Sequence, residues 1–409
     1  MRVLVLSQYY WPEGFQINDV VRSLVARGTD VDVLTGKPNY PEGAVFRGYR
    51  AWGCLVEKRE GANIYRVPLL PRGANSALRL AMNYLSFVVA GLLCGPWLLR
   101  GRRYDCIFVY APSPILQVLP ALFLGWIKRC GVIVWVQDLW PDSLEATGYV
   151  RNPRLLRVVE MLVRVIYRNT DLLLVQSHAF VAPVTQLAAG RPVAYLPNSV
   201  DPVFYNPPTV PVPEITELNS GFPVVFAGNV GAAQAVETIV EAATLLMGHP
   251  HIRFVVFGQG SRRNWMLAQV EALGLTNLHL AGRFPVETMP GLLRKAAVLL
   301  VTLADEPIFR ATVPNKIQAY MAVGRPILAC LNGEGARLVV ESGAGIAVPA
   351  QDARRLADAV LQLYAMAQDA RDRLGENGRR YFKANFDHDQ LVDQLLVHFN
   401  SVLQERQSP

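Results

Sequence analysis

The chain has 409 residues, 51% of them hydrophobic and 18% charged, a balance that builds large cores and excludes a disordered or fibrous protein. Its formal net charge is +7, carried almost wholly by arginine because only six lysines occur. That excess favours anionic partners (nucleotide phosphates, nucleic acid or an acidic membrane face) and is equally met by plain solvation of the surface.

At roughly 150 residues per domain the length allows two or three domains. The opening run RVLVLS (2–7) reads as a buried strand, and its apolar stretch is too short for a signal peptide. A helix is predicted over 18–28, with Asn18 as its cap and Gly28 as its stop. Apolar runs at 30–35, 106–111, 132–137 and 172–177 then alternate with helical patterns. Such alternation implies parallel strands joined by right-handed crossovers. Two of the helical stretches, 78–103 and 115–129, are strongly apolar and end in basic residues. A spanning helix needs roughly 20 apolar residues. The first stretch is interrupted by Asn83, Ser86, Gly91 and Pro96, so it reads as a core helix or an interfacial one whose Arg100, Arg102 and Arg103 meet lipid phosphates. Lys128 and Arg129 end the second in the same way.

A proline-crowded stretch without periodicity, 196–215, reads as a linker. The rhythm restarts with apolar runs at 222–229, 252–260, 278–283, 297–303, 325–331 and 345–348. The expected class is therefore α/β, with two Rossmann-like doubly wound domains in series. Ligands in such sheets sit beyond the carboxyl ends of the strands.

Several strand ends carry chemistry. AGNVGAAQ (227–234) is strand, glycine loop, helix; Gly228 and Gly231 let the backbone approach a ligand, and free helix amides favour an anion. FGQGS (257–261) repeats the device with Gly258 and Gly260. In FRATVPNKIQAY (309–320), Arg310 and Thr312 lead to Pro314, Asn315 and Lys316 at a helix start. A lysine there opposes the helix dipole, which suggests an anion between them. VWVQDLWPDS (134–143) ends a buried strand in Gln137 and Asp138 beside Trp135 and Trp140. No metal site is expected: the five cysteines are scattered without a CxxC, the histidines lack ligand spacing, and DVD (30–32) lies inside a strand pattern. The cysteine usage also suits a reducing compartment. A nicotinamide enzyme would want G-x-G-x-x-G after the first strand, where this chain has SQYYWPEG.

Taken together, SQYYWPEG, TGKPNYPEG, VQDLWPDS, DLLLVQSHAF, LPNSVDPVFY and the long stretch from FGQGS to VPNKIQAYMAVGRPI resemble glycosyltransferase family 4 over almost the whole chain. These are retaining sugar-nucleotide transferases of the GT-B fold, two Rossmann-like domains facing across a cleft. TGKPNYPEG, VQDLWPDS and VPNKIQAYMAVGRPI look most like the bacterial fucosaminyltransferase-like branch of surface-polysaccharide synthesis. The resemblance implies an acceptor-side domain over 1–200, a nucleotide-sugar domain over 201–385, and a helix over 386–409 returning to the first domain.

It also implies roles. Asp138, Gln137 and Lys316 are the catalytic candidates. Donor binding falls to Gly228, Asn229, Gly231, Gln234, Gly258, Gly260, Arg283, Phe284, Glu306, Arg310, Thr312, Pro314, Asn315, Lys316 and Gln318, and the acceptor side to Gly14, Asn39, Tyr40 and Trp140. Asn229 and Gln234 stand where the family often has a diphosphate-clamping Arg and Lys. The family's Glu-x7-Glu pair is missing, its places falling near Ala311 and Ala319. Lys316 is then the main phosphate candidate, and Gln318 and Glu306 are the ribose candidates. Gln137 stands where the family commonly has a histidine for the donor's 6-hydroxyl, which points to a 6-deoxy N-acetylhexosamine such as N-acetylfucosamine. No cofactor is expected beyond the nucleotide-diphosphate sugar, expected to be UDP-linked, as co-substrate, and no metal. The implied partners are that donor, a polyprenyl-diphosphate-linked acceptor and the inner face of the plasma membrane, with no nucleic acid. A GT-B epimerase and a non-catalytic membrane scaffold are the competing readings.

Overall fold

Short runs of Val, Ile and Leu, buried on both faces, form the central strands, which is the pattern of parallel sheets covered by helices on each side. The computed structural model describes residues 1–73, 76–146 and 152–407. It divides into unit 1, Met1–Pro197 with Asp389–Pro409, and unit 2, Asn198–His388.

Unit 1 begins with β1 (Arg2–Leu6), α1 (Ile17–Ala26), β2 (Asp30–Thr35), β3 (Leu55–Arg59), β4 (Ala62–Arg66) and α2 (Ala77–Leu98). It continues with β5 (Cys106–Ala111), α3 (Val118–Lys128), β6 (Gly131–Val136), α4 (Asp142–Ala146), α5 (Pro153–Arg168), β7 (Leu172–Val175), α6 (His178–Ala188) and β8 (Val193–Tyr195). The sheet order is β3-β4-β2-β1-β5-β6-β7-β8, parallel except for β3 against β4. That edge hairpin, turning at Glu60 and Gly61 with positive φ, is absent from the sequence reading because LVEKR lacks a buried period. Asn18 is not a helix cap. Gln16 occupies the cap position, while the Asn18 side chain accepts from Trp11 N and donates to Glu13 O.

Unit 2 holds β9 (Phe222–Ala227), α7 (Val236–Leu245), β10 (Ile252–Phe257), α8 (Arg263–Ala272), β11 (Leu278–Gly282), α9 (Met289–Arg294) and β12 (Val298–Thr302). Then come α10 (Pro307–Ala311), α11 (Asn315–Val323), β13 (Ile327–Cys330), α12 (Glu334–Glu341), β14 (Gly345–Val348), α13 (Ala353–Ala365) and α14 (Gln368–Asn385). Its sheet, β11-β10-β9-β12-β13-β14, is wholly parallel.

The last helix, α15 (His388–Gln407), belongs to unit 1. Leu395 and Phe399 join Ile17 and Leu24 of α1 on the face of the first sheet formed by Val3, Val5, Val31, Val33 and Phe108. The opposite face carries α2 and α3. Gly95 packs beside Leu34 and Leu124, and Gly125 beside Val132 and Ile107.

Candidate active site

In unit 1 the carboxyl ends of β2, β1, β5 and β6, adjacent in the sheet, deliver their loops to one edge. A chain of buried amides supports those loops. Gln8 donates to Asn83 Oδ1 at 2.7 Å, and its backbone N–H donates to Gln117 Oε1 at 2.8 Å. Asn83 in turn donates to Asn39 Oδ1 at 3.3 Å and to Leu70 O at 2.6 Å.

Glu13, which the sequence reading passed over, locks two of these loops together. Its Oε1 accepts the N–H groups of Asn39 and Tyr40 at 2.8 and 2.7 Å, and its Oε2 accepts from Tyr10 N at 3.3 Å. Burial pushes this carboxyl up to about 7, against the lowering effect of the three N–H donors. The only local signal was a glutamate held between Pro12 and Gly14. The Tyr40 ring meets those of Tyr9 and Phe15 at a tilt, with centroids 5.8 and 5.2 Å away, and is 37% exposed, while Gly14 lies open to solvent.

At the end of β6, Asp138 Oδ2 accepts from Ser113 N at 3.1 Å and Ser113 Oγ at 2.8 Å, and Trp140 Nε1 donates to the same Oγ at 3.1 Å. Asp138 is thus tied to the loop after β5 and caps no helix. Among the described residues no donor reaches its Oδ1, and Gln137 Nε2 is a buried donor without a partner. Trp135 and Trp140 are both buried, and Trp135 Nε1 donates to Leu196 O at 2.9 Å.

In unit 2 the two glycine loops interlock backbone to backbone. Gly228 N donates to Phe257 O at 2.9 Å and Val230 N to Gln259 O at 2.8 Å. Gly258 has φ +139°, and a Cβ there would lie 1.8 Å from Gly228 O. A Cβ at Gly260 would meet Val230 O at 2.2 Å, and Gly231 is buried beside the exposed Asn229.

Lys316 lies in the first turn of α11 and folds back over this pair of loops. Its stem fills the space where a Gly228 Cβ would be, its Nζ sits 4.0 Å from the centre of the Phe226 ring, and it donates to Gln234 Oε1. Four residues on, the Tyr320 hydroxyl accepts from Ala227 N at 2.9 Å and pins the helix to β9. Lys316 therefore has neutral partners only, and burial pushes its ammonium down to about 7.

The remaining candidates spread around this centre. Arg310 makes a two-point pair with Asp305 at 2.8 and 2.9 Å, and Asn332 bonds the same carboxylate, so its charge is already matched. Thr312 donates to Ile308 O at 2.8 Å, Pro314 occupies the position before the first residue of α11, and Asn315, Glu306 and Arg283 are exposed. Phe284 meets Phe257 edge-on at 5.5 Å. Gln318 is buried and donates to Asn198 O at 2.9 Å, a bond to the segment that opens unit 2. Among the described residues no group of three or more His, Cys, Asp or Glu could hold a metal ion. Asp30 and Asp32 of the DVD stretch lie on β2, where Arg2 pairs with Asp30 at 3.1 Å and Arg102 and Tyr104 hold Asp32 at 3.1 and 2.7 Å.

Comparison with known proteins divides the chain at the same place. The family described as "Glycosyl transferase 4-like domain" matches residues 14–199, and that described as "Glycosyl transferases group 1" matches residues 221–366. A colanic acid biosynthesis glycosyl transferase, WcaI of Escherichia coli strain K12, is 24% identical over 347 residues, 79% of this chain and 82% of that protein. Sucrose-phosphate synthase of Thermosynechococcus elongatus shares the fold with a TM-score of 0.73 at 18% identity, covering 99% of both chains. HepE of Anabaena, solved in complex with UDP, gives 0.66 at 14% identity over 98% of this chain and all (100%) of the other. With both halves matched in order and the GT-B fold shared along the whole length, the chain belongs to the family 4 glycosyltransferases.

Proposed function

We propose that the protein is a retaining, metal-independent transferase of bacterial surface-polysaccharide synthesis. It moves a 6-deoxy N-acetylhexosamine such as N-acetylfucosamine from a UDP-linked donor to a polyprenyl-diphosphate-linked saccharide, at the inner face of the plasma membrane. The observation that carries the reading is Lys316, a cation with only neutral partners, set against two glycine loops at strand ends. A diphosphate supplies the missing negative charge and restores the full ammonium. The colanic acid assignment of WcaI and the UDP bound to HepE support the pathway class and the nucleotide.

In this mechanism the departing diphosphate takes the acceptor proton, so no protein nucleophile is needed. Lys316 and the backbone amides of the glycine loops stabilise the charge that develops on the leaving oxygen. Asp138, fixed through Oδ2 by Ser113, offers Oδ1 to the acceptor hydroxyl and orients it. Gln137 offers a neutral amide donor where a 6-hydroxyl ligand is not needed. With a 6-deoxy donor there is no 6-hydroxyl to pair, and the Gln137 amide donates instead to the sugar's acetamido carbonyl, because a buried group left without a partner costs about 1–3 kcal/mol.

The test is a turnover assay in EDTA with lipid-linked acceptor, comparing UDP-N-acetylfucosamine with UDP-N-acetylgalactosamine, its 6-hydroxy counterpart. The 6-deoxy donor is expected to win by tenfold or more. A preference for the 6-hydroxy sugar overturns the donor assignment, and a rate restored only by magnesium or manganese overturns the metal-free mechanism.

A further inference from the structure

Three helices on the α2–α3 face of the unit 1 sheet turn apolar side chains away from it. Leu85, Val89 and Leu93 follow one another along the outer side of α2, and Leu93 is 73% exposed. Trp126 of α3, the helix that packs against both α2 and α5, is 77% exposed. On α5, Val158, Met161 and Val165 recur at helical spacing, with Met161 66% exposed. The inner sides of the same helices are committed to the core. Gly91 of α2 packs on Pro120 of α3, and Val163, Ile166 and Tyr167 of α5 are buried. A helix that faces water normally carries polar residues on its outer side; here the outer sides are largely apolar, with Arg157 an exposed cation within the α5 row.

Charge decides what covers it. The helices α2 and α3 contain no acidic residue, and the single one in α5, Glu160, pairs with Arg164 at 2.5 Å. Arg79, Arg100, Arg129, Arg154 and Arg168 lie at or beyond the helix ends, and Arg100 stands 5.2 Å over the Trp97 ring. A second copy of this surface would bring cations against cations. An anionic bilayer offers phosphates to the rim and acyl chains to the centre.

We infer that α5 joins α2 and α3 in one docking face that lies flat in the interface of an anionic lipid bilayer. This rests on the membrane placement proposed above and extends it to a third helix. The helix α2 is long and apolar enough by itself to cross a membrane. It lies flat instead, because Asn83 in its interior is bonded to Gln8 and Leu70 O and its inner side is packed on α3.

The experiment is co-sedimentation of the full chain with vesicles of phosphatidylglycerol and phosphatidylcholine, against vesicles of phosphatidylcholine alone. Wild type should favour the anionic vesicles and be released by salt. Val158→Asp with Met161→Asp should reduce partitioning at least tenfold with an unchanged Tm, and Arg154→Glu with Arg168→Glu should abolish the preference for anionic lipid. Wild-type partitioning by the α5 double variant, or by the charge variant should the first fail to fold, overturns the inference. So does binding that only detergent reverses, or a lipid-free dimer that the α5 variant dissociates. Because vesicle binding is read without turnover, failure of the donor assay leaves this result standing, and the reverse also holds.

Discussion

Lys316 illustrates how one residue becomes useful through what it lacks. Its ammonium meets a ring face and an amide oxygen, and its stem occupies the room left by Gly228. Burial lowers its pKa to about 7, below the ~10.4 of an unfolded lysine. The unfolded chain therefore binds more protons in that window. Stability is highest above the unfolded value, declines as pH falls towards about 7, and stays reduced below it. A bound diphosphate reverses the local preference and favours the charged form. At about pH 8, UDP binding should accordingly take up a proton, read by calorimetry in buffers of different ionisation enthalpy. Lys316→Ala should abolish the uptake and remove about 2–4 kcal/mol of transition-state stabilisation, measured as kcat/KM. Uptake that persists in the variant would remove Lys316 from the donor site.

Among the elements, the paired glycine loops of unit 2 are held to each other by close backbone approach. A Cβ at Gly258 collides with Gly228 O at 1.8 Å, and φ is +139°. Gly258→Ala should therefore cost more than the about 1–3 kcal/mol of backbone strain alone and should weaken UDP binding as well. Gly248→Ala, where nothing lies within 4 Å of the new methyl, is the control and should be close to neutral. Equal urea midpoints for the two variants would mean that the loops part readily and do not depend on the approach. The corresponding device in unit 1 is Glu13, whose carboxylate joins the loop after β1 to the loop after β2 through three backbone N–H groups.

At the scale of the molecule, the chain ends by returning to its first unit. Arg27 of α1 reaches Asp389 and Asp393 of α15 at 2.8 and 2.7 Å, and Arg406 reaches Asp171 at 3.0 Å. These bridges are partly exposed and should each contribute under about 1 kcal/mol. The apolar side of α15 matters more. Phe399 is fully buried, with its ring 5.3 Å from that of Phe108. Phe399→Ala should cost about 3–5 kcal/mol in chemical denaturation, whereas Arg27→Ala should stay below about 1. A Phe399 variant within about 1 kcal/mol of wild type would make α15 an appendage instead of part of the core.

The periodicity of the sequence determined by itself that two parallel sheets stand in series, because buried β-branched runs and intervening helical patterns are local signals. The strands at 30–35 and 106–111 are found at those bounds. The glycine turns after β9 and β10 and the isolation of Lys316 among few lysines were legible for the same reason. Partners distant in sequence were not. Glu13 meets residues 39 and 40, Gln318 meets Asn198, and Arg310 spends its charge on Asp305. The burial of Trp140 and the outward side of α5 are likewise set by what packs against each. Only the tertiary structure decided these, because a side chain's free energy depends on the water it loses and the group it meets, and neither is written in its neighbours along the chain.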